Sequence, residues 1–177
     1  AYKGTHFRGF AENPDVRTVG GELRSALEQI LGGTVELTVA GRTDAGVHAA
    51  GQVVSFRSDS SRLDCERLVG ALNSICSTDI RVQAVTAVDD DFNARFSATE
   101  RMYHYFILNA PQADPLLADL EWHIPEPLDL DAMNQAASLF LGEHDFTSFC
   151  RRPKGQPESL LVRRIHSAKW VARNRER

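Results

Sequence analysis

Residues 34–56, TVELTVAGRTDAGVHAAGQVVSF, decide how the chain around them is organised. Side chains at 34–39 alternate between apolar and polar with a period of two, and residues 52–56 are rich in strand formers. The stretch between them, 40–51, consists largely of glycine and alanine. The sequence therefore predicts two strands joined by a long loop, and loops on a rigid scaffold commonly carry chemistry.

Helix patterns lie on both sides of this stretch. One apolar face is formed by Val19, Leu23, Ala26, Leu27 and Ile30, and Gly32-Gly33 ends that helix; a second face, after a Ser60-Ser61 N-cap, is formed by Leu68, Ala71, Leu72 and Ile75. Residues 80–88 then read as a further strand. With a first strand at the start of the chain, the order is β-α-β-β-α-β, which is ferredoxin-like.

A second α/β unit begins near residue 95 and looks incomplete. Asp89-Asp90-Asp91 marks a charged turn before a predicted strand at 101–108. A helix closed by Gly142 follows, carrying Asp131, Met133, Ala136, Ala137, Phe140 and Leu141. Residues 166–172 offer one more strand. We therefore expect an α+β protein of two domains, 1–94 and 95–177.

Composition excludes several classes of protein. With 177 residues and a hydrophobic share of 42%, the chain is typical of globular proteins. It has neither a run of about 18 apolar residues nor the start of a signal peptide. Cys65, Cys76 and Cys150 are an odd number without CxxC spacing. We expect reduced thiols, no membrane association and a cytoplasmic location.

The net charge of −4 hides an uneven distribution. Residues 1–101 carry −3, residues 102–150 carry −8 and residues 151–177 carry +7. The average disfavours a nucleic-acid partner, because phosphate binding usually leaves a basic footprint. The basic end is either a solvated surface or an anion-binding one.

Arg42 and Asp44 form the first candidate site. In an extended segment their spacing directs both side chains the same way, so the guanidinium can keep the carboxylate ionised and can hold a phosphate or a displaced base. An ionised carboxylate in a dry cleft can act as a nucleophile or a general base. The alternative is structural, with Asp44 forming an Asx-turn toward Gly46.

A second candidate is residues 92–105, where Arg101, Tyr103 and Tyr105 share one face of the predicted strand. Tyrosine can stack on an extruded pyrimidine, while Arg95 and Arg101 can take phosphates or pair with Asp44. The alternative is that the tyrosines are partly buried strand residues. His48 and His144 have no partner at metal-ligand spacing, so we expect structural hydrogen bonds from them and no metal site.

Residues 40–49, AGRTDAGVHA, are similar to the active-site motif of the TruA-type tRNA pseudouridine synthases. Other segments resemble that family in the same order along the chain. They are residues 2–10 (YDGTxFxGW in the family), 17–23 (RTVQGEL), 94–98 (ARFSA), 101–105 (RxYxY) and 142–149 (GxHDFTSF). The resemblance therefore covers nearly the whole chain.

This resemblance implies isomerisation of uridine to pseudouridine at positions 38 to 40 of the anticodon stem-loop of tRNA, without metal or organic cofactor. It implies that Asp44 is the nucleophile, that Arg42 helps to displace and replace the target base, that Tyr103 contacts that base and that Arg95 pairs with the catalytic carboxylate. It also implies a homodimer. Each chain would have an α+β fold of two ferredoxin-like units with antiparallel sheets, side by side, with the active-site cleft between them.

The chain departs from the family pattern at several positions. Lys3 replaces Asp, Phe10-Ala11 replaces Trp-Gln and Gly20 replaces Gln, whereas the motif around Asp44 is unchanged. The family's C-terminal segment, with its apolar-Leu and Val-Arg motif, has no counterpart before Arg177. We expect this chain to be part of a longer protein.

Two other functions compete with the synthase. A non-catalytic RNA-binding α/β module would keep the RNA without the chemistry. A hydrolase would pair Asp44 with a second carboxylate such as Asp91. The basic and aromatic residues of the motifs favour an anionic substrate, and so favour the synthase.

Overall fold

A computed structural model describes residues 1–58, 63–149 and 161–173 as a mixed α/β structure. Its contacts divide into two compact units, Ala1–His104 and Tyr105–Arg177. Cys150 and most of the basic end lie outside the described residues. The division at 94/95 stays a prediction about the whole protein.

The helix α1, Val19–Leu31, confirms the first helical pattern. The Thr18 hydroxyl caps it by accepting a hydrogen bond from the Gly21 N–H at 3.2 Å. At the other end Gly32 adopts a φ of 75°, the left-handed conformation that glycine takes without strain, and donates to the Glu28 carbonyl. Both ends of α1 therefore follow from the residues that the sequence places there.

The helix α2, Cys65–Ile75, confirms the second pattern. Its N-cap is Asp64, whose carboxylate accepts from the Arg67 N–H at 3.0 Å. The serines expected at this cap, Ser60 and Ser61, lie outside the described residues.

The strands of the first unit are short. β1, Thr38–Val39, pairs antiparallel with β2, Val54–Ser55, so two strands flank the loop at 40–51 as predicted. Tyr2 forms isolated antiparallel bridges to Ala49 on one side and to Ile80 on the other. The start of the chain thus lies between two segments that are distant in sequence.

The two helices pack against each other around one hydrophobic core. Its most deeply buried side chains are Leu27 and Val19 of α1. The whole cluster comprises Tyr2, Phe7, Phe10, Val19, Leu23, Ala26, Leu27, Val35, Leu68, Leu72, Cys76 and Ile80.

The second unit contains one helix and two strand pairs. β3, Ile107–Asn109, pairs in parallel with β4, Trp122–Ile124; α3, Leu130–Ser138, follows; and β5, Gly142–Asp145, pairs antiparallel with β6, Val162–Ile165. Short 3-10 turns occur at Gly4–His6 in the first unit and at Thr147–Phe149 in the second. The parallel pair differs from the expectation of antiparallel sheets only.

Several predicted strands are shorter or displaced in the structure. Only Ile80 of the segment 80–88 is bridged, because the Asn73 side chain takes the place of a neighbouring strand and bonds both the N–H and the carbonyl of Val82, each at 2.8 Å. Of the strand expected at 101–108, only residues 107 and 108 are in β3. The last strand lies at Val162–Ile165 and not at 166–172, because residues 162–165 are the ones that pair with β5.

The third helix also ends earlier than predicted, at Ser138. Leu139, Phe140 and Leu141 donate to carbonyls three residues before them instead of four, at 3.1–3.2 Å. These bonds form turns directly after the last helical residue. The helical period in the sequence therefore continues beyond the α-helix itself.

No helix within the described part of the chain has the length and apolar character needed to cross a membrane.

Candidate functional site

The loop between β1 and β2 is held to the opening segment of the chain by backbone hydrogen bonds. Phe10 N–H donates to the Thr43 carbonyl at 3.0 Å, and Gly46 N–H donates to the Phe7 carbonyl at 3.2 Å. Between these two points the chain turns, with Val47 N–H donating to the Asp44 carbonyl and Gly46 at a φ of 81°. The residues around Asp44 thus have a defined backbone path.

Buried side chains hold the base of the loop from inside. The Tyr2 and Thr43 hydroxyls share a hydrogen bond of 2.7 Å, and the Gln52 amide donates to the Tyr2 hydroxyl at 3.2 Å and to the Gly41 carbonyl at 2.7 Å. Gly41 and Thr43 are accordingly partly buried, while Arg42 and Asp44 are exposed. This alternation presents Arg42 and Asp44 on the same side of the loop.

Two glycines allow the opening segment to approach the loop closely. A Cβ on Gly4 would lie 2.0 Å from the Val47 carbonyl oxygen, and one on Gly9 would lie 2.7 Å from that of Thr43. Gly9 also has a φ of 90°. A side chain at either position would force the two backbones apart, so these glycines are part of the support of the loop.

The two histidines singled out in the sequence make structural hydrogen bonds, as expected. His48 Nδ1 accepts from the Gly4 N–H at 3.1 Å, and His144 Nε2 lies 2.8 Å from the Leu141 carbonyl oxygen. Within residues 1–58, 63–149 and 161–173, no three His, Cys, Asp or Glu side chains form a group able to hold a metal ion.

Gly20 and Phe10, two positions at which the sequence differs from the family pattern, are in contact in the structure. Gly20 N–H donates to the Phe10 carbonyl at 2.9 Å, and a Cβ on Gly20 would lie 2.6 Å from that oxygen and 3.2 Å from the buried Phe10 ring. The glycine therefore leaves room for this contact between α1 and the opening segment.

Behind the opening segment, Arg17 joins α1 to the turn at 76–79. Its guanidinium lies over the Phe7 ring and bonds Glu22, Ser77 and Asp79. Burial alone would raise the pKa of Glu22, but hydrogen bonds from Ser77 and Arg17 outweigh it and hold that pKa below its ordinary value. Burial raises the pKa of the neighbouring Cys76 thiol.

The segment at 93–97 forms a second rigid turn of the first unit. The Asn93 side-chain oxygen accepts from the N–H groups of Arg95 and Phe96, at 3.0 and 3.2 Å, and the Ala94 N–H donates to the Ser55 hydroxyl at 3.1 Å. The Arg95 guanidinium lies 5.4 Å from the Phe96 ring centre. No ion pair between Arg95 and Asp44 occurs in the described part of the chain.

Tyr103 and Tyr105 do not lie on a strand in the structure. Their side chains are 71% and 79% exposed, so neither is the partly buried strand residue of the structural alternative. The Tyr103 hydroxyl has no hydrogen-bond partner among the described residues. It is therefore accessible to a ligand.

Arg101 has a role that the sequence pattern did not indicate. The sequence suggested a phosphate or Asp44 as its partner, but its guanidinium bonds backbone carbonyls, those of Ala40 and Arg95. The small residues Ala40 and Gly41 are the only signal for this contact, since they leave space over the backbone.

Comparison with known proteins identifies the family. The sequence model described as tRNA pseudouridine synthase matches residues 1–97, more than half of the chain. The chain belongs to the tRNA pseudouridine synthase family. The match includes Arg42, Asp44 and Arg95, and Tyr103 lies beyond it.

Curated members of this family resemble the chain further. The tRNA pseudouridine synthase A of Thermosipho africanus is 45% identical over 166 residues, covering 94% of this chain and 66% of the relative. That of Dictyoglomus thermophilum is 44% identical over 151 residues, covering 85% and 62%. That of Thermotoga maritima is 43% identical over 165 residues, covering 93% and 66%. The chain thus spans somewhat less than two thirds of these synthases.

Proposed function

We propose that the protein to which this chain belongs is a tRNA pseudouridine synthase that uses Asp44 as its catalytic carboxylate. The observation that carries the proposal is the family match over residues 1–97, which includes the loop of Asp44. The exposed pair of Arg42 and Asp44 on an anchored loop supports it, because the guanidinium can hold an anionic substrate beside the carboxylate that reacts with it.

The proposed reaction needs no co-reactant. The C1′–N1 bond of uridine breaks, a C1′–C5 bond forms, and the proton lost from C5 balances the one gained at N1. Asp44 attacks either C1′ of the sugar or C6 of the ring, and the free uracil rotates before the new bond forms. Such chemistry requires a nucleotide flipped out of the RNA.

Four side chains have proposed roles. Asp44 is the nucleophile, Arg42 fills the space of the displaced base, Tyr103 contacts the target base and Arg95 pairs with the carboxylate once RNA is bound. The exposure of Arg42, Asp44 and Tyr103 leaves each free to meet the substrate. The Arg95 guanidinium now lies over the Phe96 ring, so its pairing with Asp44 is proposed for the RNA-bound state alone.

The substrate proposed is the anticodon stem-loop of tRNA at positions 38 to 40, bound by a cytoplasmic homodimer. We also propose that the whole protein has two ferredoxin-like units, divided near residue 94. Two observations support the first ferredoxin-like unit. Tyr2, at the start of the chain, pairs antiparallel with both Ala49 and Ile80, and β1 pairs antiparallel with β2.

The direct test is pseudouridine formation in tRNA by the full-length protein, read by primer extension after carbodiimide adduct formation. Wild-type protein should give stops at positions 38 to 40, and Asp44→Asn and Asp44→Ala should give none. Asp15→Asn is the matched control, since it neutralises another exposed aspartate of the same unit, and asparagine tolerates the φ of 63° at that position.

Each competing function has its own outcome in this test. An RNA-binding module predicts that wild-type protein binds tRNA and makes no pseudouridine. A hydrolase predicts cleavage that Asp91→Asn abolishes. Equal pseudouridine from wild type and Asp44→Asn would sink the assignment of Asp44.

A further inference from the structure

We propose that Arg101 is a positioning residue for the pseudouridine synthase reaction. It ties the backbone that leads into Asp44 to the turn that carries Arg95. The inference rests on the proposed function, and it concerns a residue that acts through the protein backbone without touching the substrate.

The contacts of Arg101 are directed at two carbonyl groups. Its Nε donates to the Ala40 oxygen at 3.1 Å, and Nη2 donates to the same oxygen. Nη2 also lies 3.4 Å from the Arg95 carbonyl oxygen. One guanidinium thereby connects two segments that are more than fifty residues apart in the sequence.

Gly41 provides the space for this side chain. A Cβ built on Gly41 would lie 3.2 Å from Arg101 Nε and 3.5 Å from its Cδ, so the arginine side chain passes close to the glycine. Gly41 itself has no unusual φ. Glycine therefore suits position 41 because it leaves space for the Arg101 side chain, and not because the backbone there needs the conformational freedom of glycine.

The contact completes the anchoring of the residues before Arg42. Ala40 N–H donates to the Val53 carbonyl at 2.9 Å, the Gly41 carbonyl accepts from Gln52, and the Ala40 carbonyl accepts from Arg101. Without Arg101, the backbone at Ala40 would keep its bond to the Val53 carbonyl but lose the one toward the turn at 93–97.

Arg101 and Arg42 consequently have different functions. Arg42 makes no hydrogen bond or ion pair within the described residues and is exposed, as a residue that meets substrate should be. The guanidinium of Arg101 is already engaged by the protein. The fork of donors explains why arginine stands here, since a lysine ammonium cannot reproduce two coplanar bonds to one oxygen.

Arg101→Lys in the full-length protein tests this role. We expect the single-turnover rate of pseudouridine formation at saturating tRNA to fall about 10- to 100-fold, because a displacement near 1 Å can cost that much in rate. The dissociation constant for tRNA should stay within about threefold, since the positive charge is kept. Arg57→Lys is the matched control, because Arg57 also donates to a backbone carbonyl, that of Asp90, away from the loop.

A second variant makes the test independent of the folding of the first. Gly41→Val should displace Arg101, because even a Cβ at this position lies 3.2 Å from Arg101 Nε and the two methyl groups of valine need further room. The rate should fall in the same way, and the double variant should be no slower than the worse single one, as coupled residues behave. If Arg101→Lys fails to fold, Gly41→Val decides, and a wild-type rate from it overturns the inference.

The remaining outcomes are equally distinct. A weaker dissociation constant with an unchanged rate would make Arg101 an RNA contact and overturn the positioning role. Full activity of Arg101→Lys beside an active wild type would overturn the inference alone. An inactive wild-type protein would overturn the proposed function and this inference with it.

Discussion

The units Ala1–His104 and Tyr105–Arg177 contain the same kinds of helix and strand, but they differ in burial. The first unit surrounds α1 with a continuous apolar cluster. In the second, Ala137 is the single buried residue among those described, and large side chains such as Leu139 and Trp122 are exposed. Capped helices thus form on local signals, whereas a core requires elements from distant parts of the sequence.

The largest expected contrast between the units comes from removing a leucine side chain in each. Leu27 is 1% exposed and Leu139 is 76% exposed. Leu27→Ala should lower the free energy of unfolding by about 2–5 kcal/mol, and Leu139→Ala should change it by less than about 0.5 kcal/mol. Urea unfolding of both variants measures the difference, and similar losses would contradict the contrast.

A smaller loss is expected where two backbones of the first unit touch. Gly4→Ala places a methyl group against the Val47 carbonyl oxygen and should cost about 1–3 kcal/mol, the range for overpacking. Gly33→Ala is the control, because a Cβ there meets nothing within 4 Å. Thermal unfolding of both variants tests this, and a Gly4→Ala variant as stable as Gly33→Ala would refute the close approach.

Helix caps should behave alike in both units, since a cap bond is local. Thr18 caps α1 and Asp129 caps α3, where it accepts from the Ala132 N–H at 2.9 Å. Replacing either by alanine should destabilise its helix by about 1 kcal/mol. Amide hydrogen exchange in the first turn of each helix is the measurement. Faster exchange in α1 alone would show that caps depend on the core.

The smallest expected effect is the pH dependence contributed by Glu22. Its pKa lies below the ordinary value of 4.5, so its contribution to stability is present above that pH and is lost as the pH falls through the folded-state pKa. The size should be roughly 0.2–1 kcal/mol, as for exposed ion pairs. Glu22→Gln should therefore destabilise the protein more at pH 7 than at pH 3.

Glu36→Gln is the control for Glu22→Gln, because Glu36 is an exposed residue of the same unit. Urea unfolding at the two pH values measures both variants. An equal loss from Glu22→Gln at pH 3 and pH 7 would show that its carboxylate contributes nothing through ionisation.

The parts of the fold predictable from sequence were those with local causes. The positions of α1 and α2 followed from apolar periodicity, and the end of α1 followed from Gly32. The strands were less predictable, because a strand needs a partner and the partner is not written in its own residues. Val82 illustrates this, since its backbone bonds the side chain of Asn73 instead of a strand.

The candidate site also has a part that the sequence predicts and a part that it does not. The exposure of Arg42 and Asp44 on one face follows from their spacing, and the alternation of Gly41 and Thr43 agrees with it. The hydrogen bonds of Arg101 could not be predicted, because its partners are the backbone carbonyls of Ala40 and Arg95, and every residue has such a carbonyl. Residue type identifies chemistry far better than it identifies which backbone a side chain will hold.

The bridge from Tyr2 to Ile80 has a consequence for the order of folding. Closing a long loop lowers the entropy of the chain before the contacts that stabilise the loop have formed. Helix α1 needs no such loop and can form early, whereas the bridges of Tyr2 to Ala49 and Ile80 form only after these residues have been made. The contact of Arg101 with Ala40 closes a loop of 61 residues, and it forms later still because Arg101 follows Ile80 in the chain. During synthesis, the backbone before Asp44 therefore acquires this contact only after Arg101 has left the ribosome, although Asp44 itself is made much earlier.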